Sequence, residues 1–130
     1  MTTYYNNVTT FRRGDVLLVD FGEAFGSEQG GIRPAIVIQN DIGNIYAPTI
    51  IVCAITSRIK KEEPTHAALL HHDSGLVKDS IVLCEQIKTI DKRRVIKKYG
   101  HISHMSESMI KALTISLGLV YNNGNVLICS

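Results

Sequence analysis

The chain contains no tryptophan, and its aromatic residues amount to only 6%. A module that holds nucleic acid by stacking successive bases on a row of rings is poorly supported by such a composition. Cysteine is scarce too. Cys53, Cys84 and Cys129 are odd in number, lie far apart and show no C-x-x-C spacing, so neither a disulfide framework nor a zinc knuckle is indicated. Cys53 and Cys84 sit inside apolar runs and read as small core residues. No segment approaches the roughly 18 continuous apolar residues of a membrane span. The opening MTTYYNNVTTFRRG lacks the apolar stretch of a signal peptide. These absences point to a protein of a reducing cytoplasm that does not engage a membrane.

Other absences remove whole classes of chemistry. There is no P-loop, no glycine fingerprint of a dinucleotide-binding fold after the first strand, no H-E-x-x-H and no G-x-S-x-G. GSEQGG is rich in glycine but lacks the Lys-Ser/Thr ending of a phosphate cradle. His71, His72 and Asp73 resemble a metal tract, yet adjacent loop residues rarely converge on one ion, so neither a metal nor any other cofactor is expected. His66, His101 and His104 read as surface or structural residues.

What is present is the composition of an ordinary globular domain, 45% apolar and 20% charged over 130 residues. A chain of this length buries roughly two thirds of the surface that its unfolded form exposes. One domain spanning residues 1–130 is expected. The runs VLLVDF, RPAIVIQ, TIIVCAIT, THAALL and SIVLCEQI are short, apolar and rich in β-branched residues, and they predict strands up to about His101. The segments GEAFGSEQGGI, NDIGNIYAP and HHDSGLVKD carry Gly, Asn, Asp, Pro and Ser and predict loops. Beyond them the period changes. Met105, Met109, Ala112, Leu113, Ser116, Leu117 and Val120 recur at helical spacing, with Ser103 as the expected N-cap and Asn122-Asn123-Gly124 as the stop. NVLICS reads as a short strand or a loose tail. The pattern is α+β: a small antiparallel barrel followed by one amphipathic helix.

A net charge of +2 says little about a polyanionic partner, so the distribution decides. KTIDKRRVIKK, Lys88 to Lys98, holds six basic residues and one aspartate, and Arg58, Lys60 and Lys61 form a smaller cluster. The long strip reads either as a solvated face or as a track for phosphates. On the residues alone Arg33 is either an arginine aimed at phosphate from a loop-to-strand junction or a surface residue that happens to precede Pro34. Thr56 is either a site hydroxyl or a β-former closing the run TIIVCAIT.

RRGDVLLVDF, GSEQGGIRPAIVIQND, TIIVCAITS, PTHA, GLVKDSIVLCEQIKTIDKRRV and the helical segment together resemble the MazF/PemK family of toxins, in the form found in Gram-positive bacteria. The resemblance runs from about Arg13 to Val120, with a leader at 1–12 and a tail at 122–130 outside it. It implies an SH3-like antiparallel β-barrel with a C-terminal helix. It also implies a homodimer that cuts single-stranded RNA, mRNA included, at a short sequence without metal, leaving a 2′,3′-cyclic phosphate and a 5′-hydroxyl. A cognate antitoxin of a type II toxin–antitoxin system would occlude the site. Arg33 and Thr56 fall at the family's catalytic arginine and threonine. Glu28, in the loop with Arg33, is a candidate base or a group that orients Arg33, and Gln29, Ser57 and Gln86 are candidates for reading bases of unstacked RNA. A gyrase-poisoning toxin of the same barrel type and a plain RNA-binding barrel are the alternatives. The presence of Arg33 and Thr56 argues against the first, and the scarcity of aromatics against the second.

Overall fold

The structure, a computed structural model, describes residues 8–58, 61–122 and 125–128. Lys60, Cys129 and the Asn123-Gly124 pair lie outside the described residues. Six strands form one antiparallel sheet: β1 (Asp15–Asp20), β2 (Ile32–Val37), β3 (Thr49–Thr56), β4 (His66–Leu69), β5 (Ser80–Asp91) and β6 (Val95–His101). Their order is β4-β5-β3-β2-β1-β6. No ladder joins β4 to β6 among the described residues, so the expected barrel is a sheet that does not close.

Both faces of the sheet are covered, which explains why its strands read as apolar runs rather than as clean alternations. Leu17, Val19, Ala35, Val37, Ile50, Val52 and Ala54 point to one face, where Phe11, Phe21, Ile90 and Val95 complete a core. Val16, Ile36, Cys53, Ile55, Val82 and Cys84 point to the other, under Met109 and Ala112 of the helix α3 (Glu107–Leu117). Val8 packs against the first core beside Phe11, so part of the segment before Arg13 belongs to the folded body. Burying a side chain such as Leu17 contributes about 1.5–3 kcal/mol. Cys53 and Cys84 meet inside the second core. The Cys53 thiol donates to the Cys84 sulfur; that bond, together with burial, pushes the Cys53 thiol up and draws Cys84 down.

Charge is handled locally. Asp15 is fully buried, and its carboxylate takes Lys98 Nζ at 2.9 Å, His101 Nδ1 at 2.8 Å and the Arg12 backbone N–H at 2.9 Å. A buried carboxylate is tolerated only with partners of this kind. Two segments expected as loops contain single helical turns, α1 (Asp41–Tyr46) and α2 (His71–Ser74). Asn40 caps α1 by accepting from Gly43 N at 2.8 Å, the role for which asparagine is suited.

The helix α3 starts later than expected. Ser106, not Ser103, is the N-cap, its Oγ accepting from Met109 N at 3.1 Å. It also stops earlier, because Gly118 adopts φ +65 without the cost a Cβ would impose and donates to Ile115 O and Thr114 O. Val120 therefore leaves the helix. Leu119–Asn122 (β7) and Asn125–Ile128 (β8) pair as a two-stranded ribbon with Asn122 opposite Asn125, so the tail forms strands and the expected stop at 122–124 is not where the helix ends.

Candidate active site

The site grows from two strand ends. In the β2–β3 ladder Ala35 faces Ala54, and carrying that register two residues further sets Arg33 opposite Thr56. Pro34 has no N–H to donate, so the ladder stops there, and both side chains stand at the mouth of the sheet. Before β2, Phe21 N donates to Gly31 O at 2.9 Å and Gly31 N to Gly22 O at 2.7 Å, pinching the neck of the loop that carries Gly-Ser-Glu-Gln. Gly30 allows the loop to fold on itself, since a Cβ there would fall 2.5 Å from the Ala24 Cβ. The Gly30 carbonyl accepts from Arg33 Nε at 2.7 Å. This fixes the guanidinium plane, while its two terminal nitrogens donate to nothing among the described residues. Thr56 Oγ1 accepts from Arg58 N at 3.1 Å, turning the chain at the end of β3 so that Ser57 and Arg58 follow Thr56 along the same rim.

Arg33, Thr56 and Arg58 line two adjoining grooves. One, of about 430 Å³, adds Gln29, Lys61, Glu63, His66, Glu85 and Gln86. The other, of about 370 Å³, adds Ser57, Val77, Lys78 and Tyr99. An irregularity in β5 supplies the first: Ala54 pairs with Leu83 but Cys53 with Ile87, leaving Cys84, Glu85 and Gln86 as a bulge without partners in β3. Bulges re-aim side chains. Gln86 uses its amide to bind the loop, Oε1 accepting from Gln29 N at 3.3 Å and Nε2 donating to Ser27 O at 3.4 Å. Gln29 Oε1 is buried and has no hydrogen-bond partner, an acceptor held in reserve at the groove wall. Glu85 stands between two donors. Thr65 Oγ1 lies 3.4 Å from its Oε1, and His66 Nε2 lies 3.4 Å from its Oε2.

Of the residues singled out from the sequence, Arg33, Thr56, Gln29 and Gln86 are brought into one groove, and Ser57 lines its neighbour. Glu28 is placed differently. Its Oε1 accepts from Phe25 N at 2.9 Å, closing the loop, and it borders a small recess with Phe21 and Lys88 rather than either groove with Arg33. The long basic strip is also elsewhere. Lys92 Nζ donates to Asn44 O at 2.6 Å and Arg94 Nη1 to Asp20 O at 3.2 Å, while Arg93 forks onto Asp91 and holds that carboxyl down at about 2. None of the three lines either of these two grooves; the smaller cluster supplies their cations, Arg58 and Lys61. His66 and Glu85 were missed from the sequence. Their only trace is a pair of polar residues, Glu85-Gln86, interrupting the apolar run SIVLC. Among the described residues no three of His, Cys, Asp or Glu converge as a metal cluster, and His71 bonds Asp79 at 2.7 Å instead. No described helix is long and apolar enough to cross a membrane.

Fixed guanidinium, strand-end hydroxyl, extra cations and a carboxylate in one open groove define a site suited to a phosphodiester. Comparison with known proteins gives the class a family. Residues 12–117 match the family model described as PemK-like, MazF-like toxin of type II toxin-antitoxin systems. The chain is 49% identical over 111 residues to the endoribonuclease EndoA of Bacillus subtilis, covering 84% of this chain and 96% of that protein. Among solved structures, MazF from Deinococcus radiodurans superposes with a TM-score of 0.68 at 25% identity, over 84% of this chain and 97% of that one. An endoribonuclease from a mycobacterial species, solved with its cognate antitoxin, shares the fold with a TM-score of 0.70 at 22% identity, over 85% of this chain and 98% of that one. The chain belongs to the PemK/MazF toxin family of type II toxin–antitoxin systems, a family of endoribonucleases.

Proposed function

We propose that this protein is the toxin of a type II toxin–antitoxin pair: a cytoplasmic homodimer that cleaves single-stranded RNA at a short sequence, without a metal ion. The observation that carries the proposal is the convergence of Arg33 and Thr56 at the end of the β2–β3 ladder, with Arg58 and Lys61 beside them. Cleavage is attack of a ribose 2′-hydroxyl on the adjacent phosphorus, leaving a 2′,3′-cyclic phosphate and a 5′-hydroxyl. Arg33, fixed by Gly30, places its terminal N–H groups against the non-bridging oxygens, where negative charge grows in the transition state. The Thr56 hydroxyl adds a donor to the same oxygens. Protein cations thus supply the charge neutralisation that other nucleases draw from metals.

Ser57 and the Gln29 side chain, whose Oε1 has no hydrogen-bond partner, support reading of base edges, which requires unstacked bases, while Gln86 commits its amide to the loop and shapes the groove wall. A cognate antitoxin would silence the enzyme by filling the groove. The test is a digest of long single-stranded RNA in excess EDTA, with product ends mapped and analysed. Cleavage at a recurring short word, with cyclic phosphate ends and no cutting of the same word in duplex, is expected. Activity abolished by EDTA and restored by magnesium would refute the metal-free mechanism.

A further inference from the structure

We propose that Cys53 and Cys84 form a redox site, two core thiols that an oxidant of the peroxide class joins into a cross-strand disulfide, and that this bond slows the groove beside it. The slowing rests on the ribonuclease reading above; formation of the bond does not.

The placement comes from the register. Ala54 pairs with Leu83, and one further step of that ladder would set Cys53 directly opposite Cys84, but the bulge begins there and Cys53 pairs with Ile87. Both side chains are fully buried in the same core, among Ile36, Ile55, Val82 and Met109. The Cys53 thiol donates to the Cys84 sulfur. Directly facing residues of antiparallel strands hold their Cβ atoms about 4.5–5.5 Å apart and a disulfide needs about 3.5–4.5 Å, so joining the two asks for an approach of about 1 Å. The bulge can make that movement because Cys84 is tied on one flank only. Its N–H donates to Thr65 O, just before β4, at 2.9 Å, and it has no partner in β3.

The same movement reaches the groove. Gln86, two residues on, holds the loop that carries Arg33 through bonds of 3.3 Å from Gln29 N and 3.4 Å to Ser27 O. Bonds of that length weaken quickly when stretched. Drawing the bulge towards β3 therefore loosens the loop, and with it the Gly30 carbonyl that fixes Arg33 Nε.

Cys84 is the thiol that reacts first. A proton lost by the pair leaves from Cys84, because the Cys84 thiolate keeps the Cys53 S–H as its donor. Burial and the Glu85 carboxylate oppose that ionisation, which makes the reaction slow. The Cys84 thiolate attacks a peroxide oxygen: an S–O bond forms, the O–O bond breaks, and the departing hydroxide takes up the proton Cys84 released. The Cys53 sulfur then attacks the Cys84 sulfur. The S–S bond forms, the S–O bond breaks, and the departing oxygen leaves as a second water with the Cys53 proton. Two electrons pass from the thiols to the peroxide. In a reducing compartment a thiol reductant restores both cysteines by exchange, so the bond is transient.

The experiment exposes the purified parent and Cys129→Ser to hydrogen peroxide, blocks remaining thiols by alkylation and maps linked peptides by mass. A second portion is assayed for single-turnover RNA cleavage before and after dithiothreitol. A link between Cys53 and Cys84, lighter by two hydrogen atoms, is expected in both proteins, with cleavage slowed about tenfold or more and both changes reversed by dithiothreitol. Cys53→Ala should cut at the parental rate before oxidation, form no such link and hold its rate through the same exposure. Cys53 and Cys84 both recovered alkylated after peroxide would overturn the proposal, as would a linked protein that cuts at the reduced rate or a Cys53→Ala protein slowed as much as the parent. A parent that cuts no RNA in either state refutes the ribonuclease reading and the slowing with it, whereas a missing link refutes the proposal and leaves that reading standing.

Discussion

In the proposed mechanism Arg33 is useful because half of its commitment is already made. One nitrogen is bound to Gly30 at 2.7 Å, so ordering the guanidinium costs little when a phosphate arrives. Arg33→Ala should lower the rate at saturating RNA by about a hundredfold, roughly 3 kcal/mol, with little change in affinity, as measured by single-turnover kinetics and a binding titration. Arg33→Lys should not restore the rate, since an ammonium cannot hold Gly30 and present a planar fork together. Residues such as Arg33 and Thr56 were legible because they belong to matched strings in the sequence, GSEQGGIRP and TIIVCAITS. Glu85 and His66 were not, because only the β4–β5 pairing of His66 with Leu83 and the bulge that follows bring them together. Glu28 shows the reverse: its place in the loop was plain, but the direction of its carboxylate, onto Phe25 N, was not.

Strands were easier to recognise than their boundaries and connections. Every apolar run read as a strand is one, because burial on both faces demands apolar β-formers throughout. The helix was seen but displaced at both ends, for Ser103 and Ser106 offer the same capping chemistry, and Gly118 lies inside the apolar period that continues to Val120. Ser106→Ala should therefore cost about 1 kcal/mol in denaturant melts, and Ser103→Ala much less. The basic strip is the clearest case of charge read without partners. Asp91 caps the 3₁₀ turn Lys92–Arg94, its Oδ1 accepting from Arg93 N at 2.8 Å, and the Arg93 side chain with that N–H draws its carboxyl down to about 2. Asp41 and Asp79 are also lowered, chiefly by the backbone N–H groups of Arg13 and His71. A carboxyl lowered in the folded state contributes its stability above the unfolded value of about 3.9 and loses it as pH falls towards the folded value. Melts should show stability dropping from about pH 4 to about pH 2, and Asp91→Asn should flatten part of that slope. A slope unchanged in that variant would contradict the role given to the Arg93 fork.

At the scale of the molecule, a sheet buried on both faces leaves its working surface at one end, where the β2–β3 ladder runs out at Pro34. The expected closure into a barrel did not occur, since the ladder ends at β4 and β6, and apolar runs alone do not specify which edges meet. The homodimer is a matter for sedimentation at micromolar concentration, where a single dimeric species is expected. The most direct test of the account is the cleavage of one single-stranded RNA in excess EDTA by the parent and by Arg33→Ala, with fragment ends identified by mass. Fragments ending in 2′,3′-cyclic phosphate and beginning with 5′-hydroxyl are expected for the parent, and almost none for the variant. Equal cleavage by both proteins, or fragments carrying 5′-phosphate, would contradict it.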